Sequence, residues 1–266
     1  MKSSSSPFHH RNALVIGGTS GIGRSAACAL ADQGANVIVI GKPDDTSQIE
    51  ACFLKQIYTD MTSRKECRAA FDQVLNLFLN RLDIVVHTVG GSARSMGDGP
   101  LVDCTEAGWH AALRLNLDSA FYNVQAAVTQ MQTQTPDGSG QRGSIVVVGS
   151  VLADHPSVQF FNTIGYAVAK AGLEALVKNA AAAHALDGIR VNMLKPGLVH
   201  TPMANRAISK PEIAFYLQKK QPLTQGPISA DACAKAILAL VDPGIAGLTG
   251  AIMTLDGGWS LTDPFS

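Results

Sequence analysis

Short, nearly continuous apolar and β-branched runs recur along this chain at residues 13–16, 37–40, 84–86, 145–148, 191–194 and 251–255, with a weaker one at 56–58. Runs this short, without polar alternation, suit strands buried on both faces. Helical patterns separate them at 23–33, 64–79, 107–131, 163–186 and 230–241. Strands alternating with helices imply βαβ units, right-handed crossovers and a parallel sheet covered on both sides. No repeat or long linker divides the chain. The turn-rich stretch 133–143 reads as a loop inside the pattern. The expectation is one α/β domain over residues 11–266, preceded by a flexible arm over 1–10 that includes His9-His10.

The chain has 266 residues, of which 46% are apolar and 16% charged, enough for a sizeable core. Formal net charge is zero and no basic stripe occurs, which argues against nucleic acid as a partner. No apolar run reaches the ~18 residues of a membrane span. The opening Met1-Lys-Ser-Ser-Ser-Ser-Pro7 lacks the apolar core of a signal peptide, so the chain reads as cytoplasmic. The five cysteines (28, 52, 67, 104, 233) are scattered and odd in number, which predicts free thiols without a disulfide framework or zinc site. The seven histidines show no metal-ligand spacing.

The first strand runs into Gly17-Gly-Thr-Ser-Gly-Ile-Gly23, and a helix follows at once. Glycines at such a turn let the backbone turn tightly, approach a pyrophosphate and pack helix against strand. The helix N-terminus adds free N–H groups and a partial positive charge. Placed strand-turn-helix at the start of a βαβ series, the motif favours dinucleotide binding over a plain turn.

Further along, Tyr166 and Lys170 stand one helical turn apart, and Ser150 ends the apolar run at 145–148. A spacing of four puts both side chains on one helix face. A phenol ordinarily keeps its proton to pH ~10. An adjacent ammonium favours the phenolate, and a phenol so tuned can pass a proton to or from a substrate oxygen. Taken alone, such a pair is as consistent with a decorated helix surface.

With the glycine turn, Ser150 and the Tyr166/Lys170 pair in this order, the chain resembles the short-chain dehydrogenase/reductase family over about residues 12–259. That resemblance implies a single-domain, Rossmann-type, doubly wound seven-stranded parallel sheet with helices on both faces. Further segments match. Asp60 corresponds to the family's adenine-contacting aspartate. Asn116 completes the Asn-Ser-Tyr-Lys tetrad with Ser150, Tyr166 and Lys170. Asn192, Pro196-Gly197 and Thr201 match the stretch that wraps the nicotinamide end, and Asp256-Gly257-Gly258 the C-terminal signature. The implied cofactor set is Gly17, Thr19, Ser20, Gly21, Ile22, Gly23, Gly41, Lys42, Asp60, Met61, Gly90, Pro196, Gly197, Val199 and Thr201, with Tyr166 and Lys170.

The chain also departs from the family. Where Asn-Asn-Ala-Gly is common, it has His87-Thr88-Val89-Gly90, and Ile16 replaces the threonine that opens the glycine motif. His87 reads as a packed or hydrogen-bonding replacement and not as a catalyst. The Ser150-to-Tyr166 interval is longer than usual, as is Asn116-to-Ser150, which should reshape the substrate pocket.

Cofactor choice is set where the second strand ends. Here it ends in Gly41-Lys42 with no carboxylate at the expected place. Gly41 leaves room and Lys42 offers charge, which favours NADP(H) over NAD(H), although Asp44 and Asp45 follow closely.

By resemblance, Tyr166 is the general acid/base, Lys170 tunes it and holds the nicotinamide ribose, Ser150 binds the substrate oxygen, and Asn116 supports a water chain to Lys170. Residues 198–228 read as a lid, with Val151, Leu152, Phe160, Met203, Phe215 and Tyr216 as lining candidates for a mostly apolar small molecule. The family usually forms homotetramers, with homodimers the smaller alternative. Three readings follow: an NADPH-dependent carbonyl reductase, an NAD-dependent alcohol or hydroxysteroid-type dehydrogenase, and an NADP(H)-sensing protein without catalysis.

Overall fold

The sheet is built by β1 (Asn12–Ile16), β2 (Asn36–Gly41), β3 (Lys55–Tyr58), β4 (Ile84–His87), β5 (Gly143–Val148), β6 (Ile189–Pro196) and β7 (Ile252–Leu255). In the computed structural model, which describes residues 6–42 and 50–262, these seven strands lie in the order β3-β2-β1-β4-β5-β6-β7. All neighbours pair in parallel. The order reverses between β1 and β4, so a crevice opens beyond their C-terminal ends, where ligands of doubly wound sheets bind.

Alternate residues of each strand supply opposite faces. Leu14, Ile16, Val85, Ile145 and Val147 pack under α2 (Arg64–Leu77), α4 (Ser119–Thr133) and α5 (Ile164–His184). Val15, Val37, Val39, Val86 and Val146 pack under α1 (Gly21–Asp32) and α8 (Ala230–Val241). Two covered faces explain why the strands read as unbroken apolar runs. The helices begin where their caps dictate: Ser63 accepts from Glu66 N ahead of α2, and Ser229 from Ala232 N ahead of α8.

Three differences from the sequence expectation bear on function. The helical pattern over 107–131 is broken into α3 (Glu106–Leu113), a π turn at Arg114–Asp118 and α4. The cause is Asn116, whose side chain bonds Ala112 O and both backbone groups of Gly91. The stretch 198–228 forms two helices, α6 (Pro202–Ile208) and α7 (Pro211–Lys220), and α7 is anchored by Ile213, Tyr216 and Leu217 against Val151 and Trp259. Finally, the expected flexible arm does not extend to residue 10: Phe8 is 3% exposed in the core beside α1, and His10 N donates to Gly34 O.

Candidate active site

The glycine turn closes β1 against β2, with Gly17 N and Gly18 N both donating to Ile40 O. Gly17 and Gly21 have φ of +83° and +52°, values that favour glycine. A Cβ at Gly23 would collide with the Gly17 carbonyl and lie 2.6 Å from Thr88 Oγ1. Ser20, at the N-cap of α1, makes no side-chain bond to the first turn, and that turn carries no acidic residue. A bare helix N-terminus behind close-packed glycines fits a pyrophosphate. Thr201 covers the turn: a Cβ at Gly21 would stand 3.0 Å from its Cγ2.

Two of the four candidate chemical groups, Asn116 and Lys170, meet at Gly90. A Cβ there would lie 2.7 Å from Asn116 Oδ1 and 2.8 Å from Lys170 Nζ. Lys170 is 4% exposed and donates to Val148 O at 3.0 Å. Its Nζ lies 5.6 Å from the centre of the Tyr166 ring. Ser150, two residues past the end of β5, shares a side-chain hydrogen bond with Tyr166, and its Oγ also accepts from Leu152 N.

The electrostatics differ from the expectation in sign. Burial pushes the Tyr166 phenol above its ordinary range, and only the Ser150 bond pulls the other way. Lys170 does not lower it, because its ammonium is itself buried and turned to the Val148 carbonyl. Burial takes Lys170 down from 10.5 to about 8. The folded value lies below the unfolded one, so between these limits the unfolded chain holds more protons. Stability therefore rises with pH through that window, and below it the cost of burying the ammonium is on the order of 3 kcal/mol. We expect Lys170→Met, melted in denaturant without cofactor, to be ~1–2 kcal/mol more stable than wild type at pH 7. The gap should close as pH rises through 8 to 10.5. A gap independent of pH would contradict this.

His87 is fully buried where β4 ends, and neither ring nitrogen has a side-chain partner. Burial, then the nearby Lys170, pushes its pKa down to about 3, so it stays neutral. That is the packed role the sequence suggested.

Other expected residues stand elsewhere. Met61 packs in the core and offers only its backbone. Asp60 is exposed and accepts from Thr62 N and Oγ1. Asn192 is fully buried and tethers Leu248 O and Ala251 N behind β6. Asp256 accepts from Gly258 N and Ser260 N and holds the C-terminal turn. The room expected beside Gly41 is filled by the Thr19 side chain, with which any Cβ at Gly41 would collide. Lys42 is exposed just beyond it, while Asp44 and Asp45 lie outside the described residues. Val199 is 6% exposed and bridges Ile228.

Among the lining candidates, Met203 reaches over Gly91, 3.1 Å from where its Cβ would be, and is two-thirds exposed. Phe215 faces solvent beside Lys219. Tyr216 is instead locked in the packed cluster, its hydroxyl donating to Ser157 Oγ at 2.9 Å and its ring against Phe160 and Trp259. Leu152 and Phe160 pack at the edge of that cluster. The lengthened Ser150-to-Tyr166 interval is held by Lys195, which bonds Asp154 at 2.6 Å and Glu174 at 3.1 Å.

Two supporting residues were not legible in the sequence. Asp98, 4% exposed, accepts from Gly165 N and Tyr166 N at 2.9 and 3.0 Å and so caps α5, whose own N-cap Thr163 makes no side-chain bond to the first turn. Gln221, fully buried, grips Leu198 N and O and Gly226 O, fixing the chain beyond Gly197. Both act across long sequence separations that no local spacing reveals.

Comparison with known proteins agrees with this geometry. The family model described as enoyl-(acyl carrier protein) reductase matches residues 17–260. The cis-4-hydroxycyclohexanecarboxylate dehydrogenase of Sinomonas cyclohexanicum is 30% identical over 95% of this chain and 98% of its own. The 7alpha-hydroxysteroid dehydrogenase of Escherichia coli K12 is 28% identical over 92% of each chain. The ligand-free aldohexose dehydrogenase of Thermoplasma acidophilum shares the fold, with a TM-score of 0.84 at 23% identity over 99% of each chain. The fold and site define a nicotinamide-dinucleotide oxidoreductase of the Rossmann type. The chain belongs to the short-chain dehydrogenase/reductase family.

Proposed function

We propose that this protein is an NADPH-dependent reductase of carbonyl compounds, with Tyr166 as the acid. The observation that carries this reading is that Asn116 and Lys170 meet at Gly90, with the Tyr166 ring 5.6 Å from Lys170 Nζ and bonded in turn to Ser150. When bound, the nicotinamide cofactor supplies the hydride. Gly17, Gly21, Gly23 and the start of α1 hold its pyrophosphate, and Thr201 closes over them. Ser150 Oγ donates to the substrate oxygen and stabilises its growing charge. Tyr166 Oη gives that oxygen its proton. The phenol is protonated at neutral pH, as donation to a forming alkoxide requires. Lys170, held to Val148 O, stands 5.6 Å from the centre of the Tyr166 ring, and Asn116 holds the backbone at Gly91 beside it.

Lys42, exposed at the end of β2, supports NADPH over NADH by offering its ammonium to a 2′-phosphate. Replacing it with Ala should weaken NADPH binding roughly tenfold and leave NADH binding unchanged, the loss of one charge-assisted contact. Fluorescence titration of both cofactors checks this, and equal losses for the two would sink the NADP assignment. The dehydrogenase names of the relatives favour one other reading, oxidation of a secondary alcohol by the same residues. Turnover in both directions, with NADPH and NADH against a panel of aldehydes, ketones and matching alcohols, separates the two. A cofactor-sensing protein would bind and turn over nothing.

A dimer or tetramer is part of the same reading. It is supported by large apolar side chains left exposed on the helices that carry the site, Phe121 on α4 and Val168 on α5, at 42% and 40%. Sedimentation velocity should show no monomer at micromolar concentration. A stable monomer would contradict it.

A further inference from the structure

One clasp on this molecule lies outside the chemistry described above. On α1, Arg24 and Cys28 stand one turn apart and share a face. Facing them is the turn at residues 50–53, closed by Phe53 N donating to Glu50 O. Phe53 is 8% exposed and packs in the cluster that holds Ala26, Ala27 and Leu30 of α1. Arg24 Nε donates to Glu50 Oε1 at 2.9 Å, and Cys28 and Cys52 share a side-chain hydrogen bond. The turn is thus pinned on α1 by an apolar anchor, an ion pair and a thiol–thiol contact, and Leu54 N bonds Val37 O as the chain enters β3.

We propose that Cys28 and Cys52 are a modification site: a thiol pair that a hydroperoxide converts to a disulfide, covalently joining α1 to the turn before β3. Hydrogen-bonded thiols on two docked elements need only small side-chain rotations to close. Cys52 is exposed and Cys28 is partly covered. The Arg24 guanidinium lies near both sulfurs, and at Cys28 it favours the thiolate. Burial, the largest influence, nonetheless pushes the Cys28 thiol up to about 11. The exposed sulfur therefore meets the oxidant first and Cys28 resolves.

In the first step the Cys52 thiolate attacks the peroxide oxygen, forming a sulfenic acid and releasing an alkoxide that takes up the thiol's proton. In the second, the Cys28 sulfur attacks the Cys52 sulfur, forming the S–S bond and expelling water. Two thiols and one hydroperoxide give one disulfide, one alcohol and one water. The two electrons lost by sulfur break the O–O bond. A dithiol reverses the change. By contrast, Cys67 and Cys233 are buried, with thiols pushed up to about 11 and about 12, and stand apart from this pair.

The test treats the full-length protein with hydrogen peroxide, blocks remaining thiols and maps peptides without reduction. Trypsin leaves the Lys42–Pro43 bond intact, so Cys28 and Cys52 fall in one peptide. That peptide should lose two hydrogens, escape alkylation and recover both thiols with dithiothreitol. The melting temperature of the wild type should rise on oxidation, because the link closes a loop. Cys28→Ser and Cys52→Ser should each lose both effects. Wild-type protein whose Cys52 reaches sulfinic acid while Cys28 remains alkylatable would overturn the proposal. So would a disulfide map showing other partners.

Discussion

Tyr166→Phe is expected to lower kcat/KM by roughly 10²–10⁴-fold with cofactor affinity unchanged. The substitution removes only the hydroxyl. The ring keeps its place at the start of α5, where Asp98 holds the Gly165 and Tyr166 amides, so the backbone that presents the residue stays fixed. What is lost is the phenol hydroxyl bonded to Ser150. Lys170 cannot replace it, because its Nζ is directed to Val148 O. The fall should be in kcat, since the interaction belongs to the transition state, and stability should change by about 1 kcal/mol for the lost Ser150 bond. Steady-state kinetics beside a cofactor titration separate these quantities. Near-wild-type turnover with intact binding would remove Tyr166 from the chemistry.

Gly23→Ala should disrupt the glycine turn severely. Its Cβ would run into the Gly17 carbonyl and close on Thr88 Oγ1, which is itself tied to Ile16 O and Gly17 O. Backbone and a bonded hydroxyl cannot yield cheaply, so α1 must move away from β1. The expected outcome is loss of dinucleotide binding beyond about a hundredfold and destabilisation of about 1–3 kcal/mol. Gly138→Ala is the control: a Cβ there meets nothing within 4 Å, and its melting temperature and affinity should match wild type. Equal behaviour of the two variants would show that the turn is not close-packed.

Much of this fold is legible in the sequence, for a physical reason. A parallel sheet buried on both faces writes each strand as a short apolar run, and the seven runs fall where the strands are. The site is legible where chemistry demands fixed spacing: the glycines of the phosphate turn, and Tyr166 one turn before Lys170. Features set by long-range contact are not. The break at Asn116 lies in an unbroken helical pattern and arises from its bonds to Gly91. Phe8 looked like part of a mobile arm because six residues cannot show which cavity one aromatic ring will fill. The sign of the Tyr166 shift was misread because spacing reports a neighbouring charge but not burial, and here burial dominates. Gly41 reads from the sequence as open space for a phosphate, yet the Thr19 side chain lies there, which leaves Lys42 as the residue on which the proposed preference for NADPH rests.

The central claim is that hydride passes to a carbonyl carbon while Tyr166 protonates the oxygen. The most direct measurement is turnover with NADPH deuterated at C4 against a carbonyl panel, with the product alcohol analysed by mass spectrometry for wild type and Tyr166→Phe. The account predicts deuterium on the carbinol carbon from one face of the cofactor, with the label all but abolished in the variant. Tight NADPH binding with no label in any product, or equal labelling by the two proteins, would contradict it.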